Sequence, residues 1–132
     1  MTHQKVPIGK IIIPPDINIW PHEHQTARAL AMSGYTVQFI RKSNKEREHS
    51  ADCYIDDVKW ELKSPNAHHL KTIRKNLKKA CTQSRQVVLD SNRIKGIPDQ
   101  AILREVKQQV NKIKYLDAVK YINKRRQVID IK

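Results

Sequence analysis

Cysteine is scarce. The chain has two, Cys53 and Cys81, and no C-x-x-C pair, so packed thiols are expected rather than zinc ligands or a bridge. Histidine offers no zinc site either. His22 and His24 are two apart and His68 and His69 are adjacent, neither pair at the i, i+4 spacing of a helical site. Long apolar runs are missing too. None reaches the ~18 residues of a membrane span, and the N-terminus carries no apolar signal-peptide segment. Nor is there a basic amphipathic helix bearing Trp or Phe, the kind that lies on membrane surfaces. The expectation is a soluble, cytoplasmic chain without membrane contacts.

Acid is the last shortage. Thirteen Asp and Glu stand against 26 Lys and Arg, a formal charge of +13. An excess of this size points to a polyanionic partner, and with membrane surfaces set aside nucleic acid is expected. A length of 132 residues suits one core. Residues 1–20 read as an arm and lead-in, and residues 21–132 as a single domain.

What is present is concentrated in residues 50–65. Two runs rich in β-branched and aromatic residues flank Asp56-Asp57, a pair that tolerates the positive φ of a tight hairpin turn. With those residues as the loop, Ile55 faces Val58, Tyr54 faces Lys59, Cys53 faces Trp60, and Asp52 faces Glu61. Alternation then gives Cys53, Ile55, Val58, Trp60 and Leu62 one apolar face. Asp52, Tyr54, Lys59, Glu61 and Lys63 share the other. Like charges directly opposed, roughly 5 Å apart at Cβ, are destabilising, and Asp52 opposite Glu61 is such a pair. One reading is an ordinary solvated hairpin face. The other is an oxygen site for a hard divalent cation, whose charge offsets the repulsion. Lys63, two residues along, would then orient a water or steady developing negative charge.

Around this hairpin the pattern predicts a short strand over 10–13, stopped by Pro14-Pro15. A helix follows from Pro21 to about Ser33, with Gly34 as its C-terminal cap. Its inward positions are Ala27, Leu30 and Ala31, and counting back one turn from Ala27 reaches Glu23. Glu23 is thus either a functional acid on the buried stripe or a first-turn complement to the helix dipole. Residues 35–40 are a strand by content, and Arg41 to His49 a charged loop.

After the hairpin a helix is expected from about His68 to Cys81. Its outer surface carries Lys71, Arg74, Lys75, Lys78 and Lys79, a ridge suited to phosphates or simply a solvated face. Gln86 to Asp90 reads as a strand buried on both sides. The next loop carries Arg93 and Lys95. A third helix begins near Asp99 as N-cap, and a hairpin over 118–131 turns at 123–126. The order β-α-β-β-β-α-β-α-β-β describes an α/β (α+β) fold, a mixed central sheet flanked by helices.

Read together, these parts resemble the PD-(D/E)xK nuclease superfamily, with its restriction-endonuclease-like fold. The matching residues are Glu23 on the first helix, Gly34-Tyr35-Thr36-Val37, Asp52, and Glu61-Leu62-Lys63 on the hairpin partner. Ala51-Asp52, Trp60 to Pro65 and Ala80-Cys81-Thr82-Gln83-Ser84 narrow the likeness. They are similar to the C-terminal tRNA-nuclease domains of CdiA-type contact-dependent inhibition toxins, over roughly residues 20–132. Ala51 replaces a Pro, and Asp57 stands where a hairpin Gly is common.

The resemblance implies Asp52 and Glu61 as ligands of Mg2+ or Mn2+, Lys63 as charge-stabilising base, Glu23 as accessory acid and Gln83 as a positioning residue. It further implies tRNA as substrate and an acidic immunity protein as partner. The rival is the barnase–EndoU–colicin–RelE-like group of toxins, which cleave RNA without metal. There His68, Lys63, Thr72 and Ser84 would carry the chemistry. DNA processing of the resolvase or restriction type, or binding without catalysis, completes the alternatives.

Overall fold

A computed structural model describes residues 7–41 and 51–132. Along them run β1 (Ile11–Ile12), α1 (Pro21–Met32), β2 (Val37–Phe39), β3 (Cys53–Ile55) and β4 (Val58–Lys63). Then come α2 (Leu70–Ala80), β5 (Gln86–Asp90), α3 (Asp99–Lys112), β6 (Ala118–Ile122) and β7 (Val128–Asp130). The order of elements is the one expected. The strands form a seven-stranded sheet in sequential order. β1–β2, β4–β5 and β5–β6 pair parallel, and β2–β3, β3–β4 and β6–β7 antiparallel. The fold is therefore a mixed sheet with helices on both faces, of the α/β class.

Two apolar clusters divide the sheet between its faces. One joins Ala27 and Leu30 of α1 to Val37, Phe39, Cys53, Ile55, Trp60, Leu62, Val88 and Ile122. The other joins Ile73 and Leu77 of α2 and Ile102 and Val106 of α3 to Val87, Leu89, Val119 and Tyr121. Successive residues of β5 thus enter opposite clusters, which is why its apolar run lacks alternation. Glu61 lies between Trp60 and Leu62, so it points away from α1, toward the face that α2 and α3 cover.

Local chemistry explains the element ends. Gly34 takes φ 98° after α1, where its amide donates to the Ala31 carbonyl and the Tyr35 amide to that of Leu30 (both 3.0 Å). This is a Schellman cap, which requires the left-handed conformation glycine adopts without strain. Gly9 is held for a different reason. Its amide donates to the Ala31 carbonyl (2.8 Å), and a Cβ there would sit 1.8 Å from the Tyr35 carbonyl oxygen. The β3–β4 turn has φ 45° at Asp56 and 71° at Asp57, the type I′ geometry expected without glycine.

Some expectations are corrected. α2 starts at Leu70 rather than His68, with His69 in extended conformation as its N-cap. The N-cap of α3 is Pro98. Asp99 is turned outward from the helix, accepting from the Tyr121 hydroxyl (2.6 Å) and the Lys124 amide, so tertiary partners displace the cap role. Val58 shares a parity with the inward residues yet is exposed, because the turn carries it past the edge of the core. The expected loop at 42–49 lies outside the described residues, as does the arm before residue 7.

Candidate functional site

The hairpin register from Ile55–Val58 to Cys53–Trp60 is as expected. One residue further the ladder changes. The Asp52 amide donates to the Trp60 carbonyl (3.0 Å), and the Asp52 carbonyl accepts from the Ile40 amide (3.0 Å). The Asp52 side chain turns along β4 and accepts the Leu62 amide at Oδ2 (2.8 Å). Asp52 therefore does not oppose Glu61 as a further ladder pair. Backbone bonds on two strands fix it instead, and its carboxyl is still near enough to Glu61 to raise that acid.

Both acids are buried, Glu61 to 3% exposure, so this end of the hairpin is not a solvated face. Burial, and then the adjacent Asp52 carboxyl, push the Glu61 acid up to about 8, against the opposing influence of Lys63. The Lys63 Nζ lies 3.5 Å from Glu61 Oε1, with 19% of its side chain exposed. Glu61 Oε2 is buried without a hydrogen-bond partner, a costly condition for a carboxyl oxygen. The buried Cys53 thiol is pushed up by burial and then by the charges of Asp52, Glu61 and Glu23.

This oxygen pair fits a hard divalent ion of the Mg2+ kind, which uses one or two carboxylates and completes its shell with water and substrate phosphate. Among the described residues no group of three or more His, Cys, Asp and Glu side chains converges on a metal position. Further ligands would therefore come from water or phosphate.

A cleft of about 460 Å³ opens on Asp52 and Glu23. Glu61 and Lys63 are not part of its lining. Glu23 is positioned by the start of α1, where its Oε1 accepts the Trp20 amide (3.1 Å). Pro21 begins the helix without sacrificing a needed N–H. At the rim Arg41 pairs with Asp16 (2.5 Å), and the Trp20 indole stacks on the His22 ring. Trp20 and Asp16 were not singled out by sequence reasoning, and Arg41 only as the start of the charged loop to His49. The available signal was a tryptophan directly before the Pro21-His22-Glu23 helix start.

The other sequence candidates are distributed. Gln83 follows α2, with its Oε1 buried and unpartnered. Lys71, Lys75 and Lys78 are exposed on α2. Arg74 is partly committed elsewhere, its Nε donating to Glu105 of α3 (2.7 Å). Arg74 and Lys78 line a groove of about 590 Å³ against α3, with Tyr115. Lys95 is exposed and Arg93 half-buried. Of the metal-free set, His68 is exposed, Thr72 half-buried, and the Ser84 hydroxyl accepts the Gln86 amide (3.1 Å).

A second polar cluster escaped the sequence. Asp90, fully buried at the end of β5, accepts from both Arg126 guanidinium nitrogens (2.6 and 2.8 Å), the Thr26 hydroxyl (2.6 Å) and the Asn92 amide (2.8 Å). It ties α1 to the β6–β7 turn. Fully paired, it reads as structure rather than chemistry.

The family model for the contact-dependent growth inhibition CdiA C-terminal domain matches residues 49–128. Among solved structures, the chain is similar to one from a CdiA-CT/CdiI toxin and immunity complex of Burkholderia pseudomallei. The two are 22% identical, with a TM-score of 0.69 over 94% of this chain and 99% of that one, a likeness of fold. No curated protein matches.

Proposed function

The chain belongs to the contact-dependent growth inhibition CdiA C-terminal domain family, and from that premise we propose that it is a toxin that cleaves RNA by metal-dependent phosphodiester hydrolysis. The PD-(D/E)xK site, tRNA as the substrate and the target-cell cytosol as the place of action are parts of this reading. The observation that carries it is the buried Asp52–Glu61 pair with an unpartnered Glu61 oxygen and Lys63 alongside.

Asp52 and Glu61 would hold Mg2+ or Mn2+, which when bound supplies Lewis acidity and lowers the pKa of a coordinated water. The protein's own part is electrostatic. Glu61 must surrender the proton that burial and Asp52 favour, and the nearby Lys63 ammonium assists that loss. With substrate in place Lys63 stabilises negative charge developing on the phosphoryl oxygens. Glu23, anchored on the Trp20 amide, is an accessory acid facing the same cleft as Asp52. Gln83 brings a buried unpartnered oxygen to the end of α2 and is the proposed positioning residue. Lys71, Arg74, Lys75, Lys78, Arg93 and Lys95 attract the phosphate backbone, Arg74 while also braced on Glu105.

The structural neighbour is a toxin and immunity complex. By the same reading an acidic immunity protein would neutralise this chain, and its +13 charge would speed their encounter. The test is incubation of the protein with total RNA, duplex DNA and a four-way DNA junction, with Mg2+ or with EDTA. RNA cut only with metal supports the reading. EDTA-resistant RNA cleavage indicates the metal-free chemistry, and preferential DNA cleavage a DNA-processing enzyme.

A further inference from the structure

We propose that Trp20, stacked on His22 at the mouth of the cleft, is a docking platform for one unpaired nucleobase of the RNA, an inference that rests on the nuclease reading above. Trp20 is 68% exposed, although tryptophan is highly buried on average. It is nevertheless held in place. Its amide donates to Glu23 Oε1 (3.1 Å), and Pro21 follows with a fixed φ. Its indole lies over the His22 imidazole with ring centroids 6.3 Å apart and planes inclined by 14°, an offset stack. The imidazole lies near-parallel and offset beside the indole, and the exposure of Trp20 leaves its surface for a ligand.

The position matters as much as the exposure. Trp20, Glu23, Arg41 and Asp52 line one cleft of about 460 Å³, within the ~300–1,000 Å³ range of small-ligand sites. A base on the platform would set its own phosphates at the rim, beside the Arg41 guanidinium and outside the acidic lining of Asp16, Glu23 and Asp52. In a chain of +13 charge the ligand chemistry that joins a π face to anionic links is a nucleic acid strand. Stacking on an aromatic side chain tolerates any base but requires that it be unpaired. The platform therefore selects single-stranded loops and bulges over duplex.

The experiment uses the full chain as Asp52→Asn, with a labelled 2′-O-methyl oligoribonucleotide, so that neither metal-dependent nor 2′-hydroxyl chemistry consumes the probe. Affinity is read by anisotropy against the same strand made abasic at successive positions. Adding Trp20→Ala should weaken binding roughly 5- to 150-fold. Trp20→Phe should restore it to within a few-fold, and one abasic position should weaken the Trp20-containing protein by the same factor. The strand should also quench the exposed Trp20 fluorescence, Trp60 being buried. Unchanged affinity in Trp20→Ala, or equal binding of every abasic strand, overturns the platform. Failure of the nuclease reading shows elsewhere, as parent chain that cuts no RNA with Mg2+, and failure of its metal site as RNA cleavage that survives Asp52→Asn.

Discussion

Glu61 keeps its proton to about pH 8 because it is buried and because the Asp52 carboxyl faces it. The two acids come from adjacent strands, and Asp52 is tied to the Leu62 amide of the partner strand. The pair cannot separate without breaking the hairpin end. Its like-charge conflict is thus built into the sheet and can be relieved by a proton or by a cation.

Relief by a proton has a pH signature. Glu61 ionises only near pH 8 in the folded protein, against a usual value of 4.5. Between those values the folded state binds more protons than the unfolded chain, so stability falls as pH rises through about 8. Thermal melts without divalent metal should show Tm declining from pH 5 to pH 9. Glu61→Gln should flatten that decline.

Relief by a cation should oppose it. Mn2+ or Mg2+ should raise Tm more at pH 8.5 than at pH 6, because metal must displace the Glu61 proton. At a hundredfold excess over Kd the gain is about 2.7 kcal/mol, a shift of a few degrees. Asp52→Asn and Glu61→Gln should each remove the metal response, as calorimetric melts can measure.

The Asp90 cluster should behave as structure. Arg126→Met leaves a fully buried Asp90 with only the Thr26 hydroxyl and Asn92 amide. The expected cost is about 3–5 kcal/mol, read from denaturant melts, with the metal response of the remaining folded protein preserved.

Gly9 gives a steric prediction. An alanine Cβ would overlap the Tyr35 carbonyl, which is backbone and cannot rotate away. Gly9→Ala should cost about 1–3 kcal/mol in denaturant melts, by pushing the segment before β1 off the end of α1.

Much of this was legible because it is local. Asp56 and Asp57 tolerate the left-handed turn, so the hairpin register follows from adjacent residues. Gly34 marks the end of α1 by the same logic. What stayed hidden depends on distant partners. Asp99 looks like a cap until Tyr121 claims its carboxylate, and Arg74 looks solvated until Glu105 on α3 meets it. Arg126 and Asp90 are 36 residues apart, with nothing local to mark their pairing. At the site itself alternation identified the two acids, but the Asp52 amide bond to Trp60 displaced their exact opposition.

The most direct measurement is cleavage of total RNA by the parent chain, Asp52→Ala and Glu61→Ala, with Mg2+ and with EDTA, followed by mapping of the cut ends. Discrete cuts by the parent with Mg2+ alone are the expected result. Each variant should lose at least about 1000-fold in rate, the several kcal/mol that a metal supplies to charge stabilisation, with RNA binding retained. Cleavage that persists in EDTA, or in either variant, would rule out metal-dependent hydrolysis at Asp52 and Glu61.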